Sequence, residues 1–115
     1  MLSVRWLIAS SPLSTAATAA AINVPREATK LSLALLADMK ELGGKVNPWL
    51  ITDLLAASAL AAATVRLSDY NVRINIPSVD DKAAAADIHQ ASAADLVKAQ
   101  TLLEEIEAAA KEYLP

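Results

Sequence analysis

The sequence predicts an all-α protein, a bundle of three to four long antiparallel helices, and three observations support this. The 115 residues include only 2 glycines and 5 prolines, so long stretches run without a helix breaker. The chain is 55% hydrophobic but only 3% aromatic, with no phenylalanine; alanine, the strongest helix former, supplies much of that apolar content. Apolar residues also recur at three- and four-residue spacing before the glycine pair at 43–44 and again in the last twenty residues.

The same bulk properties exclude several function classes. A chain of this length is one domain or part of one, and small chains bury a smaller share of their surface than large ones. Alanine-rich faces are shallow, which suits closely packed helices and leaves burial for a partner to finish. The formal net charge is −3, and no two basic residues are adjacent, so the clustered positive charge of a nucleic-acid surface is missing. With no cysteine and one histidine, His89, neither disulfides nor thiolate or histidine-rich metal sites can form, and no metal is expected. No uninterrupted apolar run reaches the length of a membrane span; the nearest, Leu54 to Ala63, is broken by Ser58. A cytoplasmic protein without membrane contact is therefore expected.

Taken in order, residues 1–15 read as an irregular N-terminal segment and residues 16–115 as the helical domain. The first 24 residues hold no acid and only Arg5. This resembles a weak targeting peptide, although the apolar stretch Trp6 to Ala9 is short for one; a frayed alanine helix from Thr15 and an irregular start are the alternatives. Pro25 is expected to open the first clear helix, because proline is tolerated in a first turn. Its apolar stripe is Ala28, Leu31, Leu35, Met39 and Leu42, and Gly43-Gly44 supplies the stop. Asn47-Pro48 is an N-cap followed by proline at the first helical position, and helix-favouring sequence runs from there to at least Leu67. After Pro77, Ser78, Asp80 and Asp81 offer N-caps for a last helix reaching about Tyr113. Its stripe is Leu96, Ala99, Leu103, Ile106, Ala110 and Tyr113.

One stretch departs from the pattern. Ser68 to Pro77, SDYNVRINIP, alternates Tyr70, Val72, Ile74 and Ile76 with polar residues, as a strand would. A lone strand leaves its backbone groups unpaired. Continued as a helix from Pro48, the segment places Asp53, Ala57, Leu60, Thr64, Ser68, Asn71 and Asn75 on one stripe, with Arg66, Asp69 and Arg73 opposite. Asparagine is a poor helix former, so Asn71 and Asn75 need a reason: capping or bridging neighbouring helices, or binding a ligand. Twenty-two residues separate Asp53 from Asn75, about 33 Å along a straight helix. One site using both requires another element or another subunit.

Three segments in order, Val24-Pro25, Asn47-Pro48-Trp49-Leu50-Ile51-Thr52-Asp53 and Asn71-Val72-Arg73-Ile74-Asn75, resemble the cyclodeaminase/cyclohydrolase family. It includes the C-terminal domain of formiminotransferase-cyclodeaminase and stand-alone methenyltetrahydrofolate cyclohydrolases. The resemblance covers about residues 16–114. It implies an all-helical domain completed by dimerisation, helix rather than strand at Asn71–Asn75, and a tetrahydrofolate derivative as substrate. The implied activity is conversion of 5-formiminotetrahydrofolate to 5,10-methenyltetrahydrofolate with release of ammonia, or hydrolysis of the methenyl adduct. Both reactions need a proton-transfer group and hydrogen bonds to a tetrahedral carbon. Asp53 is the acid of the matching motif and becomes the catalytic candidate. Asn47, Asn71, Arg73 and Asn75 become the substrate-binding candidates, with Arg73 placed to pair with a folate carboxylate.

Simpler roles stand beside these. Asn47 is explained as an N-cap, Asp53 by the helix dipole, and Arg73 as a surface ion-pair member. Trp49 reads as a packing anchor, and His89 matches no motif. Departures from the family pattern also count. Trp49-Leu50 and Thr52 replace the usual Asn-Ala and Ser, and the N-terminal half of the family domain, with its Pro-Gly-Gly-Gly segment and further acids, has no counterpart. The reading is therefore the C-terminal part of a longer domain. The competing class is a non-catalytic helical interaction module.

Overall fold

The computed structural model describes residues 14–115. Three helices span Ser14–Leu42 (α1), Ile51–Asn75 (α2) and Lys82–Ala109 (α3), with short 3-10 turns at Pro48–Leu50, Ile76–Ser78 and Lys111–Tyr113. No strand occurs among the described residues, and the all-α expectation holds. Ion pairs show the directions. Arg26 pairs with Asp95 and Lys40 with Glu105, each at 2.7 Å, so α1 and α3 run the same way. Between α2 and α3, Asp69 meets Ser92 while Leu55 faces Glu107 across a groove, so α2 runs opposite. The bundle is up, down, up.

The first helix starts earlier than proline chemistry predicts. α1 begins at Ser14 and carries Pro25 inside it. Residues 14 and 15, expected in the irregular segment, are helical; of the 24 residues read as a weak targeting peptide, 1–13 lie outside the described residues and the remainder belong to α1. Proline lacks the N–H that would bond the carbonyl four residues back and costs a helix interior about 3 kcal/mol. Two things offset this here: the run Ala16 to Ala21 is almost all alanine, and Ile22, about one turn before the proline, is buried.

The buried face of α1 is also rotated from the expected stripe. Leu31 is 71% exposed, and Leu35 and Leu42 face solvent as well. Ile22, Thr29 and Leu36, spaced every seven residues, are buried instead, with Leu33 and Met39 packed against the core. Two apolar stripes share this helix, and periodicity alone ranks neither. The helix ends without a left-handed glycine; Gly43 still donates to Met39, and Lys45 and Val46 both donate to Leu42.

In α2 the sequence and the structure agree that SDYNVRINIP continues a helix. The buried side reads Ile51, Leu54, Ser58, Ala61, Ala62, Val65, Ser68, Asp69 and Val72. Small residues along it let α2 lie close to both neighbours. Ser58 Oγ donates to the Leu54 carbonyl at 2.7 Å, so its burial leaves no unpaired donor. The segment Pro48–Ser78 has a mean hydropathy of 1.6 over its best 18-residue window, long and apolar enough to cross a membrane. A search for unbroken apolar runs misses this, because isolated Ser and Thr interrupt the run while hardly lowering the mean. Packing against α1 and α3 accounts for part of this composition only, since a third of that window is buried.

The third helix follows its predicted stripe. Asp81 is the N-cap, accepting from the amides of Ala83 and Ala84. Ala99, Ile106 and Ala110 are buried, Leu96 and Leu103 pack against the core, and only Tyr113, in the terminal 3-10 turn, is exposed.

The rotated face of α1 gives a direct test. Leu36→Ala should lower unfolding free energy by about 2–5 kcal/mol, as core leucine truncations do. Leu31→Ala should change it by about 0.5 kcal/mol or less, as exposed substitutions do. Urea titrations followed by circular dichroism separate the two; equal losses would mean that the face is misassigned.

Candidate functional site

The five candidate residues divide between the two ends of α2. At the N-terminal end, Asn47 caps the Pro48–Leu50 turn, its side-chain oxygen accepting from the Trp49 amide at 3.0 Å. The cap role is therefore real, and the other amide positions of Asn47 remain open to a ligand. Asp53 lies in the first turn of α2, exposed, where the helix dipole favours a carboxylate. Trp49 between them is 88% exposed. The expectation of a packing anchor fails, because the 3-10 turn carries the ring away from the core.

At the C-terminal end, Asn71 and Asn75 turn back on their own helix. The Asn71 Nδ2 donates to the Leu67 carbonyl at 3.1 Å, and the Asn75 Nδ2 to the Asn71 carbonyl at 2.8 Å. Such back-bonding explains how two poor helix formers sit in one helix. Each amide keeps its oxygen and a second N–H for another partner. Arg73 pairs through Nε with Asp69 at 3.0 Å, and its guanidinium lies 5.4 Å from the Tyr70 ring centroid. The surface ion-pair role is thus also present.

The partner in that pair lies opposite the asparagines, as the helical wheel places it, but sequence reasoning missed its burial. Asp69 is only 3% exposed. It accepts a 2.8 Å hydrogen bond from Ser92 Oγ of α3 as well as the Arg73 contact. A buried carboxylate is tolerated only when paired and hydrogen-bonded, and Asp69 meets both conditions. The signal was available: Ser58, Ala62, Val65, Asp69 and Val72 are spaced 4-3-4-3, and all are buried. A stripe search restricted to apolar residues passes over an acid within it.

The structure does not bring the two groups together within one chain. Asp53 and Asn75 bound one continuous helix, about 33 Å apart. Three surface grooves have defined linings. One lies between α1 and α3 around Arg26, Lys30, Asp95 and Lys98. A second lies between Leu55, Ala56 and Lys111, and the third between Thr18, Ile22, Val79 and Ile88. None of the five candidates lines any of these three. His89 is exposed on α3, and among the described residues no three acidic or histidine side chains cluster to hold a metal.

The fold is that of an all-helical unit whose polar motif residues sit at both ends of its central helix. The chain belongs to the formiminotransferase-cyclodeaminase family, whose sequence pattern matches residues 10–94. That span includes Asn47, Asp53, Asn71, Arg73 and Asn75. No curated protein and no solved structure matches the chain.

The Asp69 clamp has a measurable consequence. Ser92→Ala removes one donor from a buried carboxylate and should cost about 1–3 kcal/mol. The loss should shrink when Asp69→Asn is already present, because the stranded charge is then gone. A double-mutant cycle in urea gives the coupling; full additivity would mean that the two side chains act independently.

Proposed function

We propose that this chain binds a tetrahydrofolate one-carbon adduct in the cytoplasm and takes part in its conversion. The reaction is closure of 5-formiminotetrahydrofolate to 5,10-methenyltetrahydrofolate with loss of ammonia, or hydrolysis of the methenyl bridge. The observation that carries this reading is the family match over residues 10–94, a span that includes both polar groups. In the closure, folate N10 attacks the formimino carbon, a tetrahedral centre forms, and the departing nitrogen takes a proton as ammonia leaves. Asp53, exposed and in a first turn, is our choice for moving that proton. The free oxygens and N–H groups of Asn71 and Asn75 are suited to the pterin edge or to the tetrahedral centre, and Asn47 keeps hydrogen-bonding capacity beside Asp53. Arg73, held through Nε, has its terminal nitrogens for a folate carboxylate. We include a homodimer in the proposal, since the two groups lie too far apart to serve one ligand within a chain.

A second reading is supported by a separate observation. Leu60, Leu67, Ile74, Val24 and Leu31 are all more than half exposed, as in a helical interaction module that does no chemistry.

Calorimetry with 5-formyltetrahydrofolate, a stable adduct, tells them apart. Saturable binding supports the folate reading, and no detectable heat from a folded, helical sample eliminates it. Asp53→Asn should lower turnover of the formimino substrate by about 10²–10⁴-fold, the usual contribution of a proton-transfer group, while folate affinity changes little. Asn75→Ala should weaken binding without destabilising the fold, because alanine is the better helix former by several tenths of a kcal/mol. Unchanged affinity in that variant removes Asn75 from the site.

A further inference from the structure

Of the three grooves described above, the one between α1 and α3 alone has a surplus of cations. Arg26, Lys30 and Lys98 line it against Glu27 and Asp95. The groove beside Leu55 sets Lys111 against Glu104 and Glu107, and the charges of the third are Asp80 and Asp81. The whole chain carries −3, so the first groove is a locally positive site on an acidic protein. Its volume is about 700 Å³, within the range of small-molecule sites. Two ion pairs tie the helices on either side of it. Arg26–Asp95 lies at one end and Lys40–Glu105 further along, each at 2.7 Å.

Between the two ties the charges are not matched. Lys30 and Lys98 are exposed, and neither pairs with a carboxylate among the described residues. Glu27, three residues before Lys30, offsets one of them and leaves one positive charge. Along α1 the lining then turns apolar, with Leu33, Ala34 and Ala37. These follow Arg26 and Lys30 at three- and four-residue spacing, on one side of the helix. From Lys30 to Ala37 this floor is about 10 Å long, and the Lys40–Glu105 pair crosses to α3 three residues beyond it. A cationic mouth over a short apolar floor discriminates by chemistry. Inorganic phosphate meets the lysines but leaves the floor wet, and an ammonium group is repelled at the mouth. We infer that this groove binds a small organic acid, its carboxylate held by Lys30 and Lys98 and its short acyl body laid on Leu33, Ala34 and Ala37. Lysine suits this role as a compact point charge on a flexible stem. None of Asn47, Asp53, Asn71, Arg73 and Asn75 lines the groove, and the inference does not rest on the folate reading.

Octanoate below its micelle concentration tests this. Octylammonium has the same body and the opposite charge; inorganic phosphate has the charge and no body. In a titration followed by amide NMR shifts, octanoate should saturate, with its shifts centred on Lys30, Ala34, Ala37 and Lys98. The other two probes should bind more weakly. Lys30→Gln combined with Lys98→Gln should weaken octanoate by roughly tenfold, the product of two exposed ion pairs. Helicity should not change, since both side chains are exposed. Ala34→Gln keeps both lysines and sets a long polar side chain on the floor. It should also weaken octanoate, and glutamine is a good enough helix former to keep α1 intact. Equal binding of octanoate and octylammonium, or shifts confined to exposed Leu60, Leu67 and Ile74, overturn the site. Octanoate binding that survives either variant overturns it too, and phosphate binding as tight as octanoate overturns the role of the floor. 5-Formyltetrahydrofolate, itself an organic acid, should bind the double lysine variant as it binds the unaltered chain. Loss of that binding makes the groove part of the folate site and overturns its independence. A chain that binds octanoate here and no 5-formyltetrahydrofolate overturns the folate reading and leaves the groove standing.

Discussion

Asp69 fixes α2 against α3, and much of the molecule follows from that bond. Its carboxylate lies in the row of small residues that buries the central helix, with Ser92 of α3 donating to it and Arg73 paired one turn on. An apolar face of alanine, serine and valine has little relief and would slide easily. A buried carboxylate that takes a hydrogen bond from the facing helix slides less easily, because a shift of α2 would cost it the Ser92 donor, while Arg73 on the same helix moves with it. The clamp sets the register of α2 and holds Arg73 by one nitrogen. It also turns the opposite side of the helix, with Leu60, Leu67 and Ile74, outward.

That arrangement explains why the central helix is apolar on nearly every side. One side packs between α1 and α3. The other is exposed in the single chain and carries a regular seam, consistent with the shallow, alanine-rich faces noted from composition. Serine, threonine and asparagine occur on this helix, but four of them bond carbonyls one turn back. Their hydrogen-bonding demand is partly met locally, so they interrupt the apolar surface less than their residue types imply.

The candidate residues have structural roles that leave capacity for a second. Asn47 is an N-cap, Arg73 an ion-pair member, and Asn71 and Asn75 are back-bonded. None of these contacts uses all the hydrogen-bonding capacity of its side chain. A structural explanation for a polar residue therefore does not remove it from a binding site, and here the same bonds fix the orientation of the side chains.

By itself the sequence determined the three helices, the caps at Asn47 and Asp81, the apolar stripe of α3, and the family, through short motifs in order. These follow from local rules: a cap needs only the next few amides, and a helix only its own residues. The sequence left open which of two stripes α1 would bury, it misread Pro25 and Trp49, and it did not reveal that Asp69 is buried. Tertiary packing decided these. Leu31 and Leu36 are equally apolar, and only the presence of α2 and α3 on one side buries Leu36 and exposes Leu31. Pro25 lies inside a helix because burial on both sides of it outweighs one lost bond. Asp69 is buried because Ser92, 23 residues away, supplies a donor that no local pattern announces.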